Sequence, residues 1–290
     1  MKRRLKGLSL RPKKKERSDA DSEDPKAARP KKKKKKRKKA PSPSETVQAR
    51  PKAEAAGEAW QDGDRPPEHE STGPKALREV PNEDLEKLLE AHRLWIATKS
   101  EEGVRADLSK TNLREAYLQG AQLRGADLRE ANLQKAELQN ADLFLADMRA
   151  IDLLGSQLQK ATLKRAKLKG ASLISARIEE ADLTEADLEG ADLREADLRE
   201  ATLESSNLAR ANLRDANLFM VEATGVQLQH AQLQGADLKG ARLNGAKLQG
   251  AELMGSDLSG ADLLDAEGLT ADQLDEAETD DKTIRPLDLS

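Results

Sequence analysis

At 290 residues the chain is long enough for two ordinary domains, yet its composition divides it differently. Charged residues make up 36% and aromatic residues only 2%, and a net charge of −3 conceals a strong asymmetry along the chain. The absence of cysteine excludes disulfides, thiolate metal sites and a thiol nucleophile, and no run reaches the roughly 18 apolar residues of a membrane span.

Residues 1–40 hold 20 Lys or Arg against five acids, a balance of +15 that leaves −18 on the remainder. The run Lys31, Lys32, Lys33, Lys34, Lys35, Lys36, Arg37, Lys38 and Lys39 is entirely cationic and has no apolar surface to bury, so a disordered polybasic tail is expected. Its chemistry is sequence-independent attraction to phosphate, weakening steeply with salt, because no aromatic residues are interleaved to stack on bases. DNA, RNA and anionic lipid fit it equally. Residues 41–81 carry seven of the 11 prolines among Ala, Glu and Ser and read as a disordered linker. The basic start lacks the apolar stretch of a secretory signal, which points to a soluble, cytoplasmic protein.

From Asn82, a candidate N-cap, a helix is predicted to about Lys99, with Leu85, Leu88, Leu89, His92, Trp95 and Ile96 at helical spacing. Residues 82–105 thus form a cap and lead-in that covers the open end of the repeat region. From Leu108 to Leu263 every fifth residue is central to a repeat: 29 of 32 are Leu, the others being Met148, Ile178 and Ala223. On a helix such leucines would wind around the whole surface, and on a straight strand they would alternate faces. The period fits only a short extended segment followed by a corner, repeated as a solenoid. Two residues before the centre, 25 of 32 positions are Ala, on the same inward side. All 12 glycines of residues 106–265 lie two places after the centre, where a corner requires positive φ. Asp or Asn precedes the centre in 17 repeats, as side chains able to bond nearby backbone at a turn. Beyond the repeats, Thr270 and Gln273 form a capping-box pattern within a C-terminal cap helix and tail, residues 266–290.

Segments such as Ala191 to Glu200 (ADLREADLRE) and Ala236 to Gly245 (ADLKGARLNG) resemble the pentapeptide-repeat family, and the resemblance extends over residues 106–265. It implies an all-β solenoid, a right-handed quadrilateral β-helix with four repeats per coil and about eight coils, roughly 38 Å long at β spacing. C-terminal elements of some members mediate dimerisation, so the chain is expected to be a monomer or a homodimer.

No catalytic centre is expected: the 53 acids make chance carboxylate pairs common, and uniform repeats supply no loop to wall off a cleft. His69, His92 and His230 show no metal-ligand spacing, and neither a phosphate-cradling loop nor any other cofactor motif is present. Val221 beside Ala223, and Met148 beside Ile151, read as packing compensation inside the rod. With four repeats per coil, Leu154 and Ile174 stack outward on neighbouring coils, while Phe144 with Leu145 and Phe219 with Met220 face solvent. These are candidate protein-docking residues. Residues 179–204 hold 11 acids, among them Asp187, Asp192 and Asp197, against Arg194 and Arg199. Just before them stands a basic group, Lys160, Lys164, Arg165, Lys167 and Lys169. Acidic band and basic patch are candidate docking surfaces for partners of opposite charge.

These features point to a non-enzymatic interaction scaffold with a polycationic tether. The family resemblance implies an alternative, a DNA-mimic modulator of a type II topoisomerase, from which this chain departs by mixing cations over the rod. A nucleic-acid-associated protein acting through its basic tail is a further alternative.

Overall fold

Parallel backbone bridges join residues 20 apart in an unbroken series from Asp107 with Asp127 to Lys247 with Glu267. Four five-residue repeats therefore complete one circuit of a four-sided coil. The computed structural model describes residues 77–287, so the basic tail and most of the proline-rich linker lie outside the described residues. The sides are here called A to D, beginning with residues 106–110, 111–115, 116–120 and 121–125 and recurring once per coil.

One repeat, residues 126–130, explains the sequence pattern. Its Ala126 N–H closes a turn onto Leu123 O at 3.0 Å, Asp127 N–H bonds back to Ala106 O at 2.9 Å, and Leu128 and Glu130 donate forward to Asp147 O and Arg149 O. That leaves a single amide, Arg129 N–H, which donates to the Asp127 side chain at 3.2 Å. The same bond recurs from Thr184 to Asp182 and from Phe219 to Asn217. Asp and Asn precede the central residue because only a short acceptor there reaches the one amide the coil leaves over.

The central Leu and the preceding small residue both point inward and form a continuous buried core. Val221 and Ala223 are both buried, as are Met148 and Ile151, in line with one larger side chain offsetting a smaller neighbour. Of the four positions where Ser or Thr replaces the inward Ala, Ser206, Ser256 and Thr111 donate their hydroxyl to a carbonyl three residues earlier, whereas the buried Ser156 hydroxyl has no partner. Every corner from Lys110 to Asp265 has positive φ, including the 20 that are not glycine. Glycine is therefore the low-strain choice rather than a requirement: forward hydrogen bonds and the core hold even β-carbon residues in a conformation that costs about 1–2 kcal/mol each.

At the N-terminal end, β1 (Arg78–Glu79) pairs in parallel with a strand of the first coil and α1 (Asn82–Ala97) follows it; that strand is β2 (Thr111–Asn112). Residues 78 and 79, assigned to the linker by composition, are thus an extra rung. Pro81 rather than Asn82 occupies the N-cap of α1, without a side-chain capping bond, and the helix ends at Ala97. Proline locks φ and needs no donor, which suits it to the helix entrance. Leu85 and Leu89 join the rod's apolar core, whereas Trp95 and Ile96 are half-buried. His92 is fully buried, and its Nδ1 accepts the Ala106 N–H at 3.1 Å.

Burial holds the His92 imidazole below its ordinary value of 6.5, so the ring is neutral. An unfolded chain takes up this proton first; the stability contributed by neutral His92 is complete above pH 6.5 and is lost as pH falls below it. Because the His92 and Trp95 rings stack at 5.4 Å, acidification is expected to change Trp95 fluorescence in a Trp60→Phe background before the rod itself unfolds. A signal that stays flat as pH falls below 6.5, down to the pH at which the rod itself unfolds, would refute this coupling.

At the other end, α2 (Ala271–Asp275) begins with the expected capping box: the Thr270 hydroxyl accepts Gln273 N–H and the Gln273 side chain accepts Thr270 N–H. Leu269 and Leu274 are buried in the core. The chain after α2 is more than a tail, since Glu278 and Ile284 bridge Asp257 and Asp262 and extend sides C and D by another rung.

Candidate interaction surface

Because four repeats complete a coil, side chains 20 apart in sequence stand one above another, and this reorganises the charge pattern. Lys160 meets Glu180 at 3.2 Å, Arg165 meets Glu185 at 3.1 Å, and Lys169 meets Glu189 at 2.8 Å. The basic patch and the acidic band are therefore joined by ion pairs on sides C, D and A in turn and are not two separate surfaces of opposite sign. Within the band, Arg194 lies 2.7 Å from Asp192, Arg199 lies 2.6 Å from Asp197, and Glu179 sits between Arg177 and Arg199. Asp187 instead accepts from the Asn207 side chain at 3.0 Å. Among the described residues, Lys164 and Lys167 have no ionic partner.

On side A, Asp127 and Asp147 alternate with Arg129 and Arg149, bonded at 2.5 and 2.7 Å. Hydrogen bonds from Arg129 and Arg149 hold both carboxyls below the usual carboxylate range. For a lowered acid the stabilisation is present above the unfolded pKa and lost as pH falls through the folded one, so this ladder resists acid until below about pH 4. Reversing Lys160, Arg165 and Lys169 together to Glu is expected to lower the melting temperature, by less than one core truncation. The loss should shrink in about 1 M salt, since these pairs are exposed; salt-independent destabilisation would contradict the pairing.

The apolar candidates divide in an unexpected way. Phe144, Leu154, Ile174 and Phe219, each one residue past the centre of its repeat, are half-buried. Their corner neighbours are the solvent-facing ones: Leu145 is 46% exposed and Met220 is 52% exposed. Leu154 and Ile174 do occupy successive rungs of side B, but Phe144 and Phe219 lie on sides D and C and form no common cluster. Arg124, one coil below Phe144, lies over its ring at 4.7 Å, a contact that the sequence encodes once the coil number is known. Among the described residues no cluster of His, Asp or Glu suits a metal ion, and no helix is long and apolar enough to cross a membrane.

The family described as pentapeptide repeats matches in eight copies, over residues 106–144, 146–184, 181–218 and 224–265, together more than half of the chain. The chain belongs to the pentapeptide-repeat family, whose fold is the right-handed quadrilateral β-helix. Among solved structures it is similar to HetL, a pentapeptide repeat protein involved in heterocyst differentiation regulation from the cyanobacterium Nostoc sp. strain PCC 7120. The identity is 37% over 60% of this chain and 78% of HetL, with a TM-score of 0.58. A pentapeptide repeat protein from the Arabidopsis thaliana thylakoid lumen is 31% identical over 33% of this chain and 67% of its own, TM-score 0.33. QnrB1, a plasmid-mediated fluoroquinolone resistance protein, is 19% identical over 61% of this chain and 91% of its own, TM-score 0.34. No curated protein matches the chain by sequence.

Proposed function

We propose that this protein is a non-enzymatic interaction scaffold: a rod of about eight coils, closed by α1 and α2, that presents fixed side-chain ladders to a protein partner. The observation that carries this reading is the hydrogen-bond economy of the repeat. Four of the five amides of an interior repeat bond to neighbouring rungs or turns, and Asp or Asn takes up the fifth in many repeats, so recognition falls chiefly to side chains held at a constant pitch, the property of repeat scaffolds. Residues 1–40 act as a polycationic tether to nucleic acid or another polyanion, in the cytoplasm. Leu154, Ile174 and the half-buried phenylalanines contribute to docking together with the charged ladders.

Interleaving of cations with the acidic band disfavours the alternative of a nucleic-acid mimic acting on a type II topoisomerase, which would need an uninterrupted run of negative charge. The test is affinity capture from nuclease-treated lysate with the full chain and with residues 77–290, a boundary that keeps β1 on β2. A protein retained by both supports the scaffold. Retention of a topoisomerase by both would favour mimicry, and retention that vanishes with the tail would reduce the rod to a spacer.

A further inference from the structure

Resting on the scaffold reading, we propose that the N-terminal end of side D, with the groove it forms against α1, binds an acidic segment of a partner protein carrying aliphatic side chains. Three observations converge there. First, Leu145 is exposed while its φ is +58°, so it bears both the strain of a left-handed corner and the cost of a wetted leucine. The strain is shared by every non-glycine corner, so it is the wetted leucine among mostly polar corners that points to a use for the side chain. Met220 is also exposed at a corner, but its Cγ lies about where it would meet a side chain at Gly240, so it rests over a bare neighbouring corner. At Gly125, one rung below Leu145, a side chain would meet nothing within 4 Å, which leaves Leu145 standing beside an open ledge.

Second, this ledge runs into further exposed apolar surface. Val104, 60% exposed, precedes Arg105, whose guanidinium reaches Gly125 O, and its amide bonds to Ala91 O of α1; Leu94, 44% exposed, faces Gly103 from the same helix. A groove of about 350 Å³ lined by Leu94, Ile96 and Gln122 continues it, and the acid at its edge, Glu90, is held by Arg93 at 3.1 Å. Gln122 is two residues from Arg124 on side D, so groove and ledge are contiguous.

Third, two cations on the ledge itself, Arg105 and Lys164, have no carboxylate partner among the described residues, while the exposed acids Glu101 and Glu102 stand before Val104 at its far edge. Arg105 donates to Gly125 O at 2.5 Å across one rung, Arg124 covers Phe144, and Lys164 follows on the next rung with no partner among the described residues. Asp142, the acid on the ledge, is paired with Arg124 at 3.4 Å. Cations alternating with aliphatics suit carboxylates alternating with aliphatics. A nucleic acid would satisfy the cations but not Leu94, Val104 and Leu145, and the aromatic ring here is already covered by a guanidinium.

The test selects a random dodecapeptide library on the full-length protein and measures the enriched peptides by fluorescence anisotropy. Because the polybasic run attracts any acidic peptide, each is paired with a version whose aliphatic residues are serine. The expected peptides combine Asp or Glu with Leu, Ile or Val. Their advantage over the serine versions is expected to fall about tenfold or more in Leu145→Lys and in Lys164→Glu, and to stay unchanged in Met220→Lys. Lysine already occupies the same corner conformation at Lys135 and Lys160, so Leu145→Lys keeps the fold. Peptides of basic or neutral composition, no advantage over serine versions, or tighter binding of a single-stranded RNA oligonucleotide that the same variants abolish would each overturn the proposal. Selected peptides that bind but ignore Leu145→Lys and Lys164→Glu overturn this site while leaving the scaffold standing. If no peptide is enriched on the rod, this site falls, and the scaffold reading is decided separately by the affinity capture.

Discussion

Deleting the single residue Glu200 is expected to unfold the rod from that point onward, whereas deleting one whole coil, residues 186–205, is expected to leave a folded rod one rung shorter. The difference arises from phase. After a one-residue deletion every later centre, from Leu203 to Leu263, falls where the backbone points outward, and no loop interrupts the repeats to absorb the slip. Each leucine so exposed forfeits about 1.5–3 kcal/mol, and the side-chain acceptor that satisfies the leftover amide moves with it. The coil deletion keeps every register: residue 185 then precedes residue 206, an inward Ser in the place of an inward Ala. Circular dichroism and thermal melting of the two variants would decide it. A one-residue deletion that melts as cooperatively as the parent would refute the phase argument, and a coil deletion that fails to fold would show that neighbouring rungs are not interchangeable.

Leu198→Ala is expected to cost about 2–5 kcal/mol, the largest effect of any single truncation outside the ends. Leu198 is fully buried between Ile178 one coil below and Leu218 one coil above, and backbone pairing on both sides prevents the rungs from collapsing into the void. In a stacked array each rung is supported only by its neighbours, so damage at the middle weakens both halves. By contrast Glu200→Gly, two residues away at a corner with φ of +57°, removes left-handed strain and is expected to be neutral or slightly stabilising. Urea denaturation of the two variants tests this directly. A loss below about 1 kcal/mol in Leu198→Ala would mean that the core repacks freely, contrary to the argument from fixed rungs.

The acid and base runs are misleading in sequence order. Lys169 and Glu189 stand a full coil apart in the chain and 2.8 Å apart in space. Linear order places them in two patches of opposite sign, while the coil places them in one ladder. The half-buried state of Phe144 has the same origin, since Arg124 reaches it only across a rung.

The sequence by itself determined the features that depend on the five-residue period, namely the solenoid, the inward Leu and Ala, the corner glycines and the role of Asp and Asn, and, beyond the repeats, the capping box at Thr270. Each is a local relation between a side chain and its own turn, so it is written within a few residues. Only the tertiary structure decided the features that depend on the four-repeat pitch of the coil. That pitch paired Lys160 with Glu180, laid Arg124 on Phe144, drew residues 78 and 79 into the first coil, and left Leu145 rather than Phe144 facing solvent. A period of five is equally compatible with other numbers of corners. How many sides close the coil is set by the packing of leucines around a common axis, a property of the whole rung that no single repeat contains.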